Sequence, residues 1–201
     1  MAATAQQITL QHINVKLFLE DPASVDLDPL IPIFHSWITG RAFEEMLLDI
    51  ADYRHVPSGP GVVLIGFQAD YAVDNAGNRL GVRYNRKTAV DGDNRDALQQ
   101  AARAALTVCQ RLEEEPRMGG KLRFDGQEIE IFVNDRLLAP NRAETFEAAR
   151  PDLDAFARKL FAGEKYSLSY DSGRAPRSLF SVTLKSQRPF STSELLKTIE
   201  P

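Results

Sequence analysis

The chain has 201 residues, 43% of them apolar, and its 24 basic against 28 acidic residues leave a net charge of −4. That apolar share excludes a largely disordered chain, and the interspersed charges show no basic stripe of the kind that binds nucleic acid, which would need a patch assembled by folding. The single cysteine, Cys109, excludes an intramolecular disulfide and a thiolate-rich zinc site.

The opening residues lack a basic region followed by a continuous apolar run, and no stretch approaches the roughly 20 apolar residues that span a bilayer. The expectation is a soluble cytoplasmic chain, neither secreted nor membrane-spanning. Ile8 to Leu19 alternates apolar and polar residues with a phase slip near His12, the period of a half-buried strand. Next, Asp28 as N-cap, Pro29 at the first helical position, an apolar face of Leu30, Ile33, Phe34 and Trp37, and a stop at Gly40 predict a short helix containing Pro32. Met46 to Ala51 reads as a brief strand.

After the Pro- and Gly-rich loop around His55 to Gly61, Val62 to Val73 and Leu80 to Lys87 read as a hairpin turning at Asn75 to Asn78. Asp93 or Asn94 starts the clearest helix, whose buried stripe runs through Leu98, Ala101, Ala105, Val108 and Leu112. Asp125 and Gly126 then predict a second hairpin. Asn141 with Glu144 forms a capping box for a helix whose stripe, Phe146, Ala149, Leu153, Phe156 and Leu160, keeps its phase across Pro151. Tyr166 to Tyr170 and Leu179 to Leu184 form a third hairpin, and Ser191 with Glu194 caps a last helix.

These elements predict an α+β fold: a β-α-β opening and three hairpin-helix units, mostly antiparallel, with the helices on one face of the sheet. The whole chain, 1–201, reads as one domain with a soft boundary near Pro116 to Gly120. The turns near Gly77, Gly126 and Gly173 recur about every fifty residues, yet no residues match between the units, so ordinary α+β alternation accounts for the spacing.

The densest collection of reactive side chains is Asp49, Asp52, Tyr53, Arg54 and His55, at a strand end beside a glycine-rich loop. There His55 could act as acid or base, Asp52 as its orienting partner, and Arg54 or Arg86 as an anion clamp. A solvated loop shaped by Pro57 and the glycines accounts for the same residues. The following hairpin carries Asp70, Tyr71 and Arg86 on a polar, aromatic face of the type enriched at ligand sites, although cross-strand pairing explains it too.

The loop's SGPGV lacks the glycine spacing of phosphate and dinucleotide motifs and precedes a strand, not a helix. His12, His35 and His55 show no metal-ligand spacing, so neither a metal nor another cofactor is implied. No Gly-x-Ser-x-Gly elbow occurs, and Cys109 falls on an apolar helical stripe as a buried thiol.

The leading expectation is a non-catalytic binding or accessory module for a protein partner or small ligand. The alternatives are an enzyme centred on Asp52, Arg54 and His55, with Tyr53, Asp70, Tyr71 and Arg86 lining its ligand site, or nucleic-acid binding through a local patch. A homo-oligomer is compatible with all three.

Overall fold

The computed structural model describes residues 8–175 and 177–200. Eight antiparallel strands form one open sheet in the order β2-β3-β4-β5-β1-β6-β8-β7, with four helices against it. The strands are β1 (Ile13–Leu19), β2 (Leu47–Tyr53), β3 (Gly61–Gly66), β4 (Ala69–Asp74), β5 (Gly81–Arg86), β6 (Phe124–Val133), β7 (Tyr166–Tyr170) and β8 (Phe180–Ser186). The helices are α1 (Leu30–Thr39), α2 (Asn94–Glu113), α3 (Ala143–Leu160) and α4 (Thr192–Ile199). No helix is long and apolar enough to cross a membrane.

Strand β1 lies at the centre, between β5 and β6. It begins at Ile13 because His12, where the alternation slips, has φ +53° and breaks the extended run. A half-buried strand is expected from its alternation, yet all seven residues are buried. Ile13, Val15, Leu17 and Leu19 join the core under α2. Asn14, Lys16 and Phe18 point to the opposite face, where neighbouring polar side chains cover them: Lys16 bonds Asp74, and the Arg79 guanidinium lies 3.4 Å from the Phe18 ring centroid.

Helix α1 begins at Leu30 with no side-chain cap, since Asp28 bonds Arg54. Pro32 is tolerated because it lies in the first turn, where an N–H has no helical partner to lose. Helix α2 starts with a full capping box of Asp93 and Asp96, and α4 with one of Ser191 and Glu194. At α3 the expected box is absent: Arg142 holds the N-cap position and Asn141 donates to the carbonyl of Ala175 at 3.2 Å. Helix α3 is one helix with Pro151 inside it.

Two expected hairpins differ. The run Val62 to Val73 folds into β3 and β4 around a turn at Phe67–Gln68, giving a four-stranded meander from β2 to β5. The buried residues change phase there, from Val62 and Leu64 to Ala69, Tyr71 and Val73, as a turn between two strands requires. Asp125 and Gly126 make no turn; they sit in β6 at a register shift against β1, where Leu17 pairs with Ile129 and Phe18 with Asp125. A Cβ on Gly126 would fall 2.3 Å from the Phe190 carbonyl oxygen, so close backbone approach explains the glycine. The third hairpin, β7 with β8, forms as expected. Of its turn, Pro176 lies outside the described residues.

Candidate functional site

The residues singled out in the sequence separate into three places. Asp52, Tyr53, Arg54 and His55 end β2 and open the loop to β3, all outside the buried core. Arg54 donates to Asp52 through Nε at 3.0 Å and Nη2 at 2.8 Å, and also reaches Asp28. Those hydrogen bonds hold the Asp52 carboxyl down at about 2. Among the described residues His55 makes no side-chain hydrogen bond to Asp52; its ring lies beside Tyr53, centroids 6.4 Å apart. Of these four, Arg54 lines a cleft of about 470 Å³ with Val56 to Gly59, Gly61, Leu27 and Leu80.

Asp70 and Tyr71, adjacent on β4, necessarily face opposite sides of the sheet. Asp70 points away from the helices and pairs with Lys87 at 2.7 Å. Tyr71 and Arg86 face the helices and line a larger cleft of about 690 Å³. Its floor is β4 and β5, one wall is α2, and the other is formed by Ala42–Met46 and the Phe67–Gln68 turn. The volume lies within the usual 300–1,000 Å³ range of small-molecule sites.

Glu45 builds one wall of this cleft. Its Oε1 accepts from the backbone N–H groups of Gln68 at 2.7 Å and Ala69 at 2.6 Å, holding the β3–β4 turn, and its Oε2 accepts from the Tyr71 hydroxyl at 2.7 Å. Burial, reinforced by Glu45, pushes the Tyr71 phenol far above its ordinary value, so it stays protonated as a donor. Behind Tyr71, Tyr84 is likewise raised by burial, and its oxygen accepts from Gln100 Nε2 at 2.9 Å.

Helix α2 supplies the opposite wall. Gln100, Arg103, Ala104, Thr107 and Arg111 follow the three-and-four spacing that places residues on one helical face. Arg103 Nη2 donates to the Ile199 carbonyl at 2.9 Å, while its Nε is buried without a partner. Arg111 is exposed, its guanidinium 4.9 Å from the Phe43 ring centroid. Arg86 donates from Nε to the Thr88 carbonyl at 3.0 Å. Among the described residues none of these three guanidiniums forms an ion pair. At the cleft's edge Met46 and Phe67 are each 65% exposed.

The cleft is therefore cationic along α2 and β5 and apolar along Phe43, Met46 and Phe67. Phe43, Glu44, Glu45, Gln100, Arg103 and Arg111 are among the lining residues not singled out in the sequence. The signal for the last three is the polar stripe beside the apolar one on α2.

Among the described residues no three His, Cys, Asp or Glu side chains lie where they could hold a metal ion. Cys109 is fully buried and burial pushes its thiol well up, which leaves it un-ionised. Comparison with protein families, with curated proteins and with solved structures finds no match for this chain.

Proposed function

We propose that this protein is a non-catalytic binding module whose cleft between α2 and the β2–β5 meander takes a small anionic ligand with an apolar body. The observation that carries the reading is the convergence of Arg86, Arg103 and Arg111 on one cleft where, among the described residues, none of them forms an ion pair, even with Glu44 and Glu45 of the same lining. A guanidinium presents a fixed fork of donors that fits carboxylate or phosphate oxygens. Phe43, Met46 and Phe67 supply the apolar surface a purely inorganic anion would leave unused. Glu45 and Tyr71 are engaged with each other and with the turn, which suits a rigid wall better than proton transfer. A cytoplasmic setting fits the single, buried Cys109.

The test is thermal-shift screening followed by calorimetry with aryl and alkyl carboxylates and phosphate monoesters. Binding is expected to need both halves of the ligand. Arg111→Ala or Arg103→Gln should weaken it roughly tenfold or more, since a hydrogen bond to a charged group contributes about 1.5–3 kcal/mol. No shift with any such anion, or shifts unchanged in both variants, would overturn the proposal.

A further inference from the structure

Among the described residues the sheet ends in two open edges, β2 and β7, and they differ. Strand β2 carries Asp49 and Asp52, with a register shift between Leu47 and Asp49, devices that discourage further pairing. Strand β7, Tyr166–Tyr170, has the sequence YSLSY, with no charge, no proline and no register shift against β8. The Gln187 N–H donates to the Lys165 carbonyl at 2.9 Å, so alternation along the ladder spends Lys165, Ser167 and Ser169 on β8. The backbone groups of Tyr166, Leu168 and Tyr170 then point outward from the sheet.

From this edge we infer that a second copy of the chain adds to the sheet through β7, antiparallel, about a two-fold axis at Leu168. The strand is a palindrome about that residue. Pairing Leu168 with its own copy makes it a hydrogen-bonded pair, and the outward N–H and C=O groups of Tyr166 meet those of Tyr170 in the other protomer. Ser167 then faces Ser169, and Tyr166 faces Tyr170, a favourable aromatic cross-strand pair. One step further out the same register sets Lys165 opposite Asp171. Both are exposed, and neither forms an ion pair among the described residues. A symmetric ribbon thus gains two complementary charge pairs, one at each end, as an isologous interface requires. At β2 the same operation about Ile50 would set Leu48 against Asp52, an apolar residue against an acid. The result at β7 is a sixteen-stranded sheet with the helices of both protomers on one face, extending the eight strands of one chain.

Sedimentation equilibrium of the full chain tests this. The wild type is expected to show a reversible species of twice the 22.4 kDa chain mass. Lys165→Asp and Asp171→Lys each turn two attractive pairs into two repulsive ones and should raise the dimer dissociation constant about tenfold or more. Mixing the two variants restores both attractions, so the mixture should dimerise as the wild type does. Asp171 also accepts from the Gly173 N–H at 2.9 Å. Asp171→Asn keeps that turn acceptor while removing the charge, and it should weaken the dimer without altering the thermal melt at concentrations where both chains are monomeric. A wild type that stays monomeric to millimolar concentration, single variants that dimerise as well as the wild type, or a mixture that stays monomeric would each overturn the inference.

Discussion

Asp74→Asn should destabilise the fold more than Lys16→Met, although the two side chains share one ion pair. Both are 3% exposed, Lys16 on the central strand and Asp74 two strands away on β4. Beyond Asp74, among the described residues Lys16 hydrogen-bonds only the Ala76 carbonyl, at 3.3 Å; its ammonium lies 5.5 Å from the Phe18 ring centroid, and Glu130 is opposite it on β6. Burial already pushes its ammonium down against the pull of Asp74. Asp74, by contrast, also accepts from the Ala76 N–H at 3.2 Å and lies 3.8 Å from Arg83, which is 25% exposed and free to follow it. Removing the carboxylate therefore leaves a buried ammonium without its bonded anion, with Glu130 acting on it only through space from β6, at about 3–5 kcal/mol. Removing the ammonium leaves a carboxylate with the Ala76 N–H as donor and the Arg83 guanidinium nearby, at about 1–3 kcal/mol. With a urea slope of about 2 kcal/mol per molar, the unfolding midpoint should fall by roughly 2 M in the first variant and 1 M in the second. The single tryptophan, Trp37, buried between Phe34 and Phe43, reports the transition by fluorescence. The double variant should cost little more than Lys16→Met alone, because the partner that made Asp74→Asn expensive has gone. Equal costs for the two single variants, or strict additivity in the double, would refute the assignment of Asp74 as the main charge compensating Lys16.

Two further outcomes follow from positions with opposite environments. Burial, opposed by Arg174 and Lys16, raises the Glu130 carboxyl above its ordinary 4.5, so the folded state binds more protons than the unfolded one and the ionised form weighs against folding. Glu130→Gln should accordingly stabilise at pH 7, with the advantage shrinking to nothing as pH falls below about 4, as unfolding midpoints at a series of pH values will show. Gly61 and Gly77 share positive φ, +63° and +69°, but a Cβ on Gly61 would lie 1.9 Å from the Val73 carbonyl oxygen while Gly77 has open space. Gly77→Ala should cost about 1 kcal/mol from backbone conformation alone, and Gly61→Ala several times that, measured by urea titration.

The sequence made local features legible and left non-local ones hidden. The apolar stripe and Asp93 cap of α2, the Ser191–Glu194 box and the β7–β8 hairpin depend on residues a few positions apart, and all form. Asp125–Gly126 misleads because the same dipeptide that suits a tight turn also suits a strand pressed against the Phe190 backbone, a contact 64 residues away. The Phe67–Gln68 turn lacks the usual turn residues; Glu45, more than twenty positions upstream, holds it with two backbone hydrogen bonds. At the site, Tyr71 and Arg86 reach the larger cleft because they face the helices, whereas adjacent Asp70 faces away. Arg103 and Arg111 stand on the polar flank of a stripe read only for its apolar residues, and their meeting with Arg86 required the packing of α2 on β5.

The arginines divide into those paired across the open face of the sheet and those of the helix-side cleft. An antiparallel sheet with helices on one face must present the other to water. Here that face is filled with charges that satisfy one another: Lys16 with Asp74, Arg79 with Glu128, Arg174 with Glu130 and Lys185 with Glu128. Packing and pairing explain these residues without any ligand. The helix-side cleft follows a different rule. Of its two glutamates, Glu44 is exposed and Glu45 is engaged by neutral donors, and its three guanidiniums are supported by carbonyls or an aromatic ring. A cation held by a carbonyl is positioned but not neutralised, and in a concave, partly desolvated site its field acts on whatever enters. In the function proposed above, an anion entering the cleft would complete the arrangement of the three guanidiniums that, among the described residues, have no ion-pair partner.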